Sequence, residues 1–187
     1  MNSGLQIGPP FGLLRVVRGQ PVQARQEQRV GGDNGNEIST GAFFRDSKGS
    51  LRFEIDAGPG TRNVHLVVLY QVDDRRLAFL DLTHRLLLAV QTGYSLPHEW
   101  QFGSPEYTGI HRDIEGCDCE LIRSSVDPSV GEIWWSEELG LVMEQIAPTI
   151  VARMSGVRRV EPAPALFAIP SDFALLTDRP IFDPRLA

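Results

Sequence analysis

The 187-residue sequence contains no apolar run that approaches a membrane-spanning helix, and basic residues are few. A membrane helix needs about 20 consecutive apolar residues, so we expect no integral membrane segment. Lys and Arg number 18 against 24 Asp and Glu, the net charge is −6, and the arginines are scattered singly along the chain. Because nucleic-acid binding usually requires a basic patch, we also expect no nucleic-acid partner.

Recognisable catalytic motifs are missing too. The four histidines lie in unrelated contexts, and there is no G-x-S-x-G segment, phosphate-binding loop or H-E-x-x-H pair. We therefore predict that the protein is not an enzyme and that it has no catalytic residue, no cofactor and no metal site.

Cysteine is scarce: the only two, Cys117 and Cys119, lie in the segment EGCDCELIR. On a strand their side chains would share one face, as would those of His111 and Asp113 in the preceding segment. Paired as a hairpin, the four residues could form a cluster of zinc-ligand types, although zinc sites usually have a C-x2–4-C spacing. A disulfide between the two cysteines would be strained. We interpret both cysteines as structural, with a metal-assisted hydrolase around the four residues as the less favoured alternative.

Sustained helical periodicity is also lacking, whereas short alternating segments are frequent. In PVQARQEQRV (21–30), charged residues at positions 25, 27 and 29 alternate with uncharged ones, which predicts a strand with a charged solvent face. In GAFFRDSKGSLRFEID (41–56), Gly49 supplies the positive φ of a hairpin turn.

These patterns predict a mainly β fold with little helix, built as a curved antiparallel sheet or half-barrel of about ten strands. We expect residues 1–173 to form a single β-rich domain and residues 174–187 to form an extended C-terminal tail.

Three central segments within residues 64–90, VHLVVLYQV, RRLAFLD and HRLLLAV, are apolar on both faces. Antiparallel strands normally keep one face in water. These strands therefore need cover on both sides from a helix, a second sheet, a partner or a bound apolar ligand. The adjacent Trp134 and Trp135 would face opposite sides of a strand, and one of them could lie in a groove. We predict an apolar ligand site lined by Leu66, Val68, Tyr70, Phe79, Leu88, Trp134 and Trp135.

Four segments in this order, FFRDSKGSLRFEI, IEGCDCELIRSS, EIWWSEELGLVM and RRVEPAPALFAIPSDF, resemble a group of uncharacterised, mostly exported bacterial proteins. One departure is Ser50, which stands where the group usually has Arg. The residues that match the group's motifs are Gly49, Arg52, Glu54, Ile114, Glu115, Gly116, Glu132, Trp134, Ser136, Leu139, Glu161, Pro162, Leu166, Phe167, Pro170, Asp172 and Phe173.

The resemblance implies an architecture like that of the outer-membrane lipoprotein carrier, a LolA-like half-barrel with an apolar concave face. It also implies a periplasmic or exported location. Because the first 19 residues contain no recognisable signal peptide, a cytoplasmic location stays open.

Two main hypotheses for function follow. In the first, the protein is a non-enzymatic binding domain that holds an apolar small molecule, a lipid acyl chain or a lipoprotein segment in its groove. In the second, it is a protein-interaction or envelope-sensor module, and its apolar face is covered by a protein partner or by a second copy of the chain.

Overall fold

The computed structural model describes residues 16–32, 35–56, 65–93, 105–124 and 128–176. Two short 3-10 turns, Pro128–Val130 and Pro164–Phe167, are the helical elements of this part of the chain. Its strands are β1 (Val22–Gly32), β2 (Gly35–Arg45), β3 (Leu51–Asp56), β4 (His65–Gln71), β5 (Arg76–Asp81), β6 (Leu86–Gln91), β7 (Pro105–Ile114), β8 (Cys117–Ser124), β9 (Glu132–Ser136), β10 (Leu141–Ile146), β11 (Ile150–Arg158) and β12 (Ala174–Leu175).

The strands form one sheet in the order β12-β6-β5-β4-β3-β2-β1-β11-β10-β9-β8-β7. Ten of the eleven neighbouring pairs are antiparallel, and only β12 runs parallel to its neighbour β6. The prediction of a mainly β fold with a curved antiparallel sheet and little helix is confirmed. Among the described residues, no helix has the length and apolar character needed to cross a membrane.

The β2–β3 hairpin has the turn that the sequence predicts. Asp46 Oδ1 accepts a hydrogen bond from the Ser50 amide at 2.7 Å, and the Gly49 amide donates to the Asp46 carbonyl at 3.1 Å. Gly49 has a φ of +97°, which glycine adopts without strain. The turn fixes a register in which Phe43 lies opposite Phe53.

The sheet has two faces, called here face A and face B. Face A carries the row that runs from Phe43 through Phe53 to Phe79 across β2–β5. Face B carries the alternate side chains, such as the paired Val67 and Leu80 of β4 and β5.

The main core combines face A of β1–β5 with side chains from β8–β11. Arg45, which is fully buried, joins the two halves: its Nε donates to the Gln20 carbonyl at 2.8 Å and its Nη1 to the Leu139 carbonyl at 2.6 Å. Buried members of this core include Val22, Phe43, Phe53, Val68, Tyr70, Phe79, Ile122, Ile133, Trp135, Met143 and Met154.

Face B of β4 and β5 is covered by the chain's own C-terminal segment, residues 161–176, called here the strap. Phe167 of the strap packs into a second core, and Leu166, Ile169 and Phe173 lie around it. The sheet residues of this second core are Val67, Leu69, Ala78 and Leu80. The strap therefore supplies the cover that strands apolar on both faces require.

Polar contacts hold the strap in place. Arg52 Nη1 donates to the Leu166 carbonyl at 2.9 Å, and Gln71 Nε2 donates to the Phe167 carbonyl at 2.8 Å. Farther along, the strap ends in β12, which pairs with Leu86 and Leu87 of β6. The predicted boundary at residue 173 stays a prediction, since residues 177–187 of the predicted tail lie outside the described residues.

The two edges of the sheet differ from regular strands. At one edge β12 covers the first residues of β6. At the other, β7 is interrupted between Tyr107 and His111 by a bulge in which Gly109 has a φ of +69°. Bulges on edge strands hinder the addition of a further strand, so β7 is poorly suited to pair with another chain.

Candidate binding surface

The predicted apolar site residues of the central strands lie together on face A, but they are buried. Leu66, Val68, Tyr70 and Phe79 are between 4% and 7% exposed, and Leu88 is half-buried against the same main core. Side chains of the chain itself surround them. Their role in holding a ligand stays a prediction.

Both tryptophans of the predicted site are buried, and they face opposite sides of the sheet. Trp135 is paired with Val142 on face A, and its indole Nε1 donates to Glu137 Oε2 at 2.8 Å. Trp134 lies on face B, where the Arg112 guanidinium stacks 4.0 Å from the ring centroid. The predicted opposite orientation is therefore observed, and both rings contribute to the packing of the protein itself.

The predicted hairpin around the cysteines forms, but it separates the proposed metal ligands. Ile114 pairs with Cys117 across a two-residue turn, and Arg112 pairs with Cys119, so both cysteines lie on face B. His111, two residues before Asp113, therefore lies on face A. Among the described residues, no three His, Cys, Asp or Glu side chains are placed to hold a metal ion.

The cluster of Cys117, Cys119, His111 and Asp113, on which the metal-assisted hydrolase hypothesis depends, is therefore not formed. The turn between β7 and β8 is the feature of the sequence that sets which side chains share a face. Glu115 and Gly116 both have positive φ angles, +57° and +74°, as a two-residue type I′ turn requires. Such a tight turn sets the register in which cysteine and histidine side chains project to opposite faces.

The chemistry of the cysteines agrees with a structural role. Both thiols are buried and free, and burial raises the pKa of the Cys119 thiol to about 12, with smaller contributions from nearby acidic groups. A buried thiol with a raised pKa is a poor nucleophile. The interpretation of the two residues as structural is supported.

The motif residues of the sequence resemblance lie at joints between parts of the fold. The Glu161 carboxylate accepts hydrogen bonds from the Ser47 amide at 3.2 Å, which joins the strap to the β2–β3 turn. Glu115 Oε2 accepts from the Gly156 amide at 2.9 Å, which joins the β7–β8 turn to β11. Both contacts connect elements of the fold, so Glu161 and Glu115 have structural roles here.

A different surface is available for binding, on face B in the middle of the sheet. It is formed by β2, β1, β11 and β10 and is called here the open surface. Val151 pairs with Ile146 on one side and with Arg29 on the other, and Arg29 pairs with Ile38. Ile38, Ile146 and Val151 are 46%, 39% and 37% exposed. Ile146, Val151, Arg29 and Ile38 therefore form one exposed row across four adjacent strands, in which Arg29 separates Ile38 from the two other aliphatic side chains.

Charged residues lie beside this row, toward the β7–β8 hairpin. Glu144 is 2% exposed and accepts hydrogen bonds from Arg112 and from Arg153, whose Nε lies 2.7 Å from Glu144 Oε1. Burial alone would raise the pKa of Glu144, but the hydrogen bonds and charges of the two arginines outweigh burial and lower it. Glu144 is therefore a buried anion shared by two guanidinium groups.

Sequence reasoning found only part of the open surface. The alternation in β1 correctly predicts a charged solvent face that includes Arg25, Glu27 and Arg29. It does not single out Ile38, Ile146 or Val151, because no local pattern distinguishes these three apolar residues from buried ones. The row exists only once the register of four strands is known.

No known family model matches the chain, and no curated protein matches it. Similar solved structures do exist. PNGF-II aligns with a TM-score of 0.52 and 10% identity, over 84% of this chain and 31% of that one. MucB in complex with MucA(peri) aligns with a TM-score of 0.50 and 11% identity, over 86% of this chain and 58% of that one. MucB alone aligns with a TM-score of 0.50 and 10% identity, over 86% of this chain and 61% of that one.

The chain has a LolA-like fold. At identities this low the likeness extends to architecture alone, since one fold hosts many functions. The chain spans less than two thirds of the length of each of these structures.

Proposed function

We propose that this protein is a non-catalytic protein-interaction module, and that the open surface is where it contacts a partner polypeptide. One observation carries the proposal: Ile146 and Val151 form an exposed aliphatic pair, with Ile38 beyond Arg29 in the same row, whereas both ends of face B are occupied by the chain itself. Contiguous exposed apolar side chains typically mark interaction sites, while single ones do not.

Two further features support an interaction role over a reaction. On face B, the buried carboxylate of Glu144 is bound by two arginines, and burial raises the pKa of the Cys119 thiol. The fold also has a precedent for protein binding, because MucB is found in complex with MucA(peri). This precedent concerns the architecture and does not identify a partner.

Site-specific photo-crosslinking in the organism that makes the protein tests this proposal. A benzophenone side chain at position 151 should give a discrete adduct with a partner, and the adduct should disappear when Ile146 is changed to Glu. The same photoprobe at Ile110, which is 51% exposed on β7, is the matched control and should give no such adduct. Equal labelling from both positions, or none from position 151, would contradict the proposal.

A bound apolar molecule is the second candidate function. It is favoured by Val68, Tyr70 and Phe79, which belong to one apolar core on face A with Leu88 half-buried beside it. Leu66 lies on the same face of β4. A lipid acyl chain gains about 0.8 kcal/mol per buried CH2 group, so such a site needs no charged clamp. The ligand would have to displace side chains that now pack against one another.

Native mass spectrometry of freshly purified protein, followed by organic extraction, separates the two candidates. A lipid-sized adduct at one molecule per chain would favour the apolar ligand, with Phe79→Trp expected to weaken it by filling the site. A bare chain mass would favour the interaction module.

A location outside the cytoplasm is part of the same proposal. It rests on the resemblance to exported proteins. Immunodetection of the natural protein after osmotic shock checks it: recovery in the shock fluid is expected, and retention with cytoplasmic markers would contradict it.

A further inference from the structure

The open surface has a charge that differs in sign from the protein as a whole, and this difference indicates the chemistry of its partner. The inference rests on the proposed function and gives the partner a chemical class. Glu132 of β9, which pairs with Ile146 beside the row, is engaged by Arg123 at 3.6 Å. Among the other charged residues, face B of β1, β10 and β11 carries four arginines and two glutamates, a local excess of two positive charges on a chain of net charge −6. These residues are Arg25, Arg29, Arg153, Arg158, Glu27 and Glu144.

Both glutamates are already engaged by arginines of the same surface. Glu27 Oε1 accepts a hydrogen bond from Arg29 Nε at 2.8 Å, and Glu144 is shared by Arg112 and Arg153. Arg25 is exposed and has no ion-pair partner among the described residues. The positive charge at Arg25 is therefore available to an incoming anion.

We infer that the open surface binds an acidic polypeptide segment whose aliphatic side chains pack on Ile38, Ile146 and Val151. The apolar row supplies contact area, and a carboxylate of the segment pairs with Arg25 at its side. Four strands at a spacing of about 4.8 Å span about 14 Å, which about five residues of extended chain can cross. A short linear segment is long enough.

A second copy of this chain fits the surface less well. In a two-fold contact the same patch meets itself, so Arg25 and Arg153 would approach a surface with the same positive excess, and like charges brought together are destabilising. Residues 1–15 of the same chain contain no Asp or Glu and one Arg, so this segment also lacks the complementary charge.

Selection from a displayed library of random peptides of about 12 residues, long enough to cross four strands, tests the inference with full-length protein. Enriched peptides should be net acidic and contain Leu, Ile or Val. Synthetic versions should lose affinity at least about tenfold on V151E and on R25E, which corresponds to about 1.4 kcal/mol. The matched controls are I110E, exposed on β7, and R18E, exposed outside the sheet. Both controls should bind like the unmodified protein.

Salt gives an independent readout. Because the arginines are exposed, raising NaCl from about 0.05 to about 0.5 M should weaken binding of the acidic peptides. The unmodified protein and R25E should differ less at high salt than at low salt.

Several results would overturn the inference. Enriched peptides that are basic, or that bind V151E and R25E as well as the unmodified protein, would place the binding site elsewhere while leaving an interaction module in place. A concentration-dependent dimer that V151E dissociates would identify a second copy as the occupant. A thermal destabilisation of V151E as large as that of a core variant would mean that the chain covers this surface itself. Failure to enrich any peptide, together with a bound lipid, would remove the proposed function as well.

Discussion

Two regions of face B differ in burial. On β4 and β5, Val67, Leu69 and Leu80 are buried beneath the strap, whereas on β1 and β11, and at Ile146 at the end of β10, the same face is exposed. The side chains explain the difference. The β4–β5 half is apolar on both faces and would expose a large patch without cover, while face B of β1 and β11 carries mostly charged and polar side chains and is stable in water. Covering one half therefore leaves the other as a defined exposed surface.

Glu144 lies at the border between the open half and the β7–β8 hairpin. Arg112 of β7 reaches it from one side and Arg153 of β11 from the other. Since a buried carboxylate is costly without partners, the two arginines stabilise it and fix how closely the hairpin approaches the open surface. The contact of Glu144 with Arg112 and Arg153 therefore fixes where the open surface ends.

The largest expected effect comes from removing the anchor of the strap. Phe167→Ala should lower the free energy of unfolding by about 3 kcal/mol, because a buried aromatic side chain is lost and leaves a cavity over Val67 and Leu69. Urea denaturation measures the change. Leu175→Ala, at an exposed strap position, is the control and should have little effect. Equal effects of the two variants would show that the strap does not anchor through Phe167.

The second largest loss of stability is expected at Glu144, where the open surface meets the β7–β8 hairpin. Glu144→Gln should lower the free energy of unfolding by about 2 kcal/mol at neutral pH, because charge-assisted hydrogen bonds to both arginines are lost. Glu138→Gln, which alters an exposed pair with Arg159, should cost less. If the two variants lose the same stability, Glu144 is not the buried anion that its contacts indicate.

The Glu144 carboxylate also makes the free energy of unfolding depend on pH. The pKa of Glu144 is lower in the folded protein than in the unfolded chain. Its stabilisation is therefore fully present above the unfolded pKa of about 4.3 and is lost as the pH falls through the lower folded value. The stability difference between the unmodified protein and Glu144→Gln should shrink on acidification below that range. A difference that does not shrink as the pH is lowered would contradict this.

The smallest effect is expected on the open surface itself. Val151→Ser and Ile146→Ser should each change the free energy of unfolding by no more than about 0.5 kcal/mol, because exposed side chains contribute little to folding. Their effect should appear in binding. If either variant lost as much stability as Phe167→Ala, the open surface would be as important for folding as the surface beneath the strap, which would contradict the prediction.

Local sequence patterns correctly predict the strands and several turns. Gly49 supplies the positive φ of the β2–β3 turn, and the alternation around Arg25 and Glu27 predicts a solvent face. The double-sided apolar character of β4 and β5 correctly predicts that both faces need cover. These features depend on neighbours within a few residues, which is the range that sequence patterns record.

The identity of the cover could not be predicted in the same way. Phe167 contacts strands about 100 residues earlier in the chain, and no local pattern specifies which segment returns to them. The proposed clustering of Cys117 and Cys119 with His111 failed for a related reason. Alternation gives the face of each residue within its own strand, but the register between strands decides whether two faces coincide.

The sequence by itself therefore determined the secondary structure, the turns and the need to bury both faces of the central strands. These follow from backbone preferences and from the alternation of apolar side chains. Only the tertiary structure decided that the strap covers one half of face B and that Ile38, Ile146 and Val151 form one row. The physical reason is that burial and surface contiguity depend on strand order and register, which bring together residues far apart in the chain.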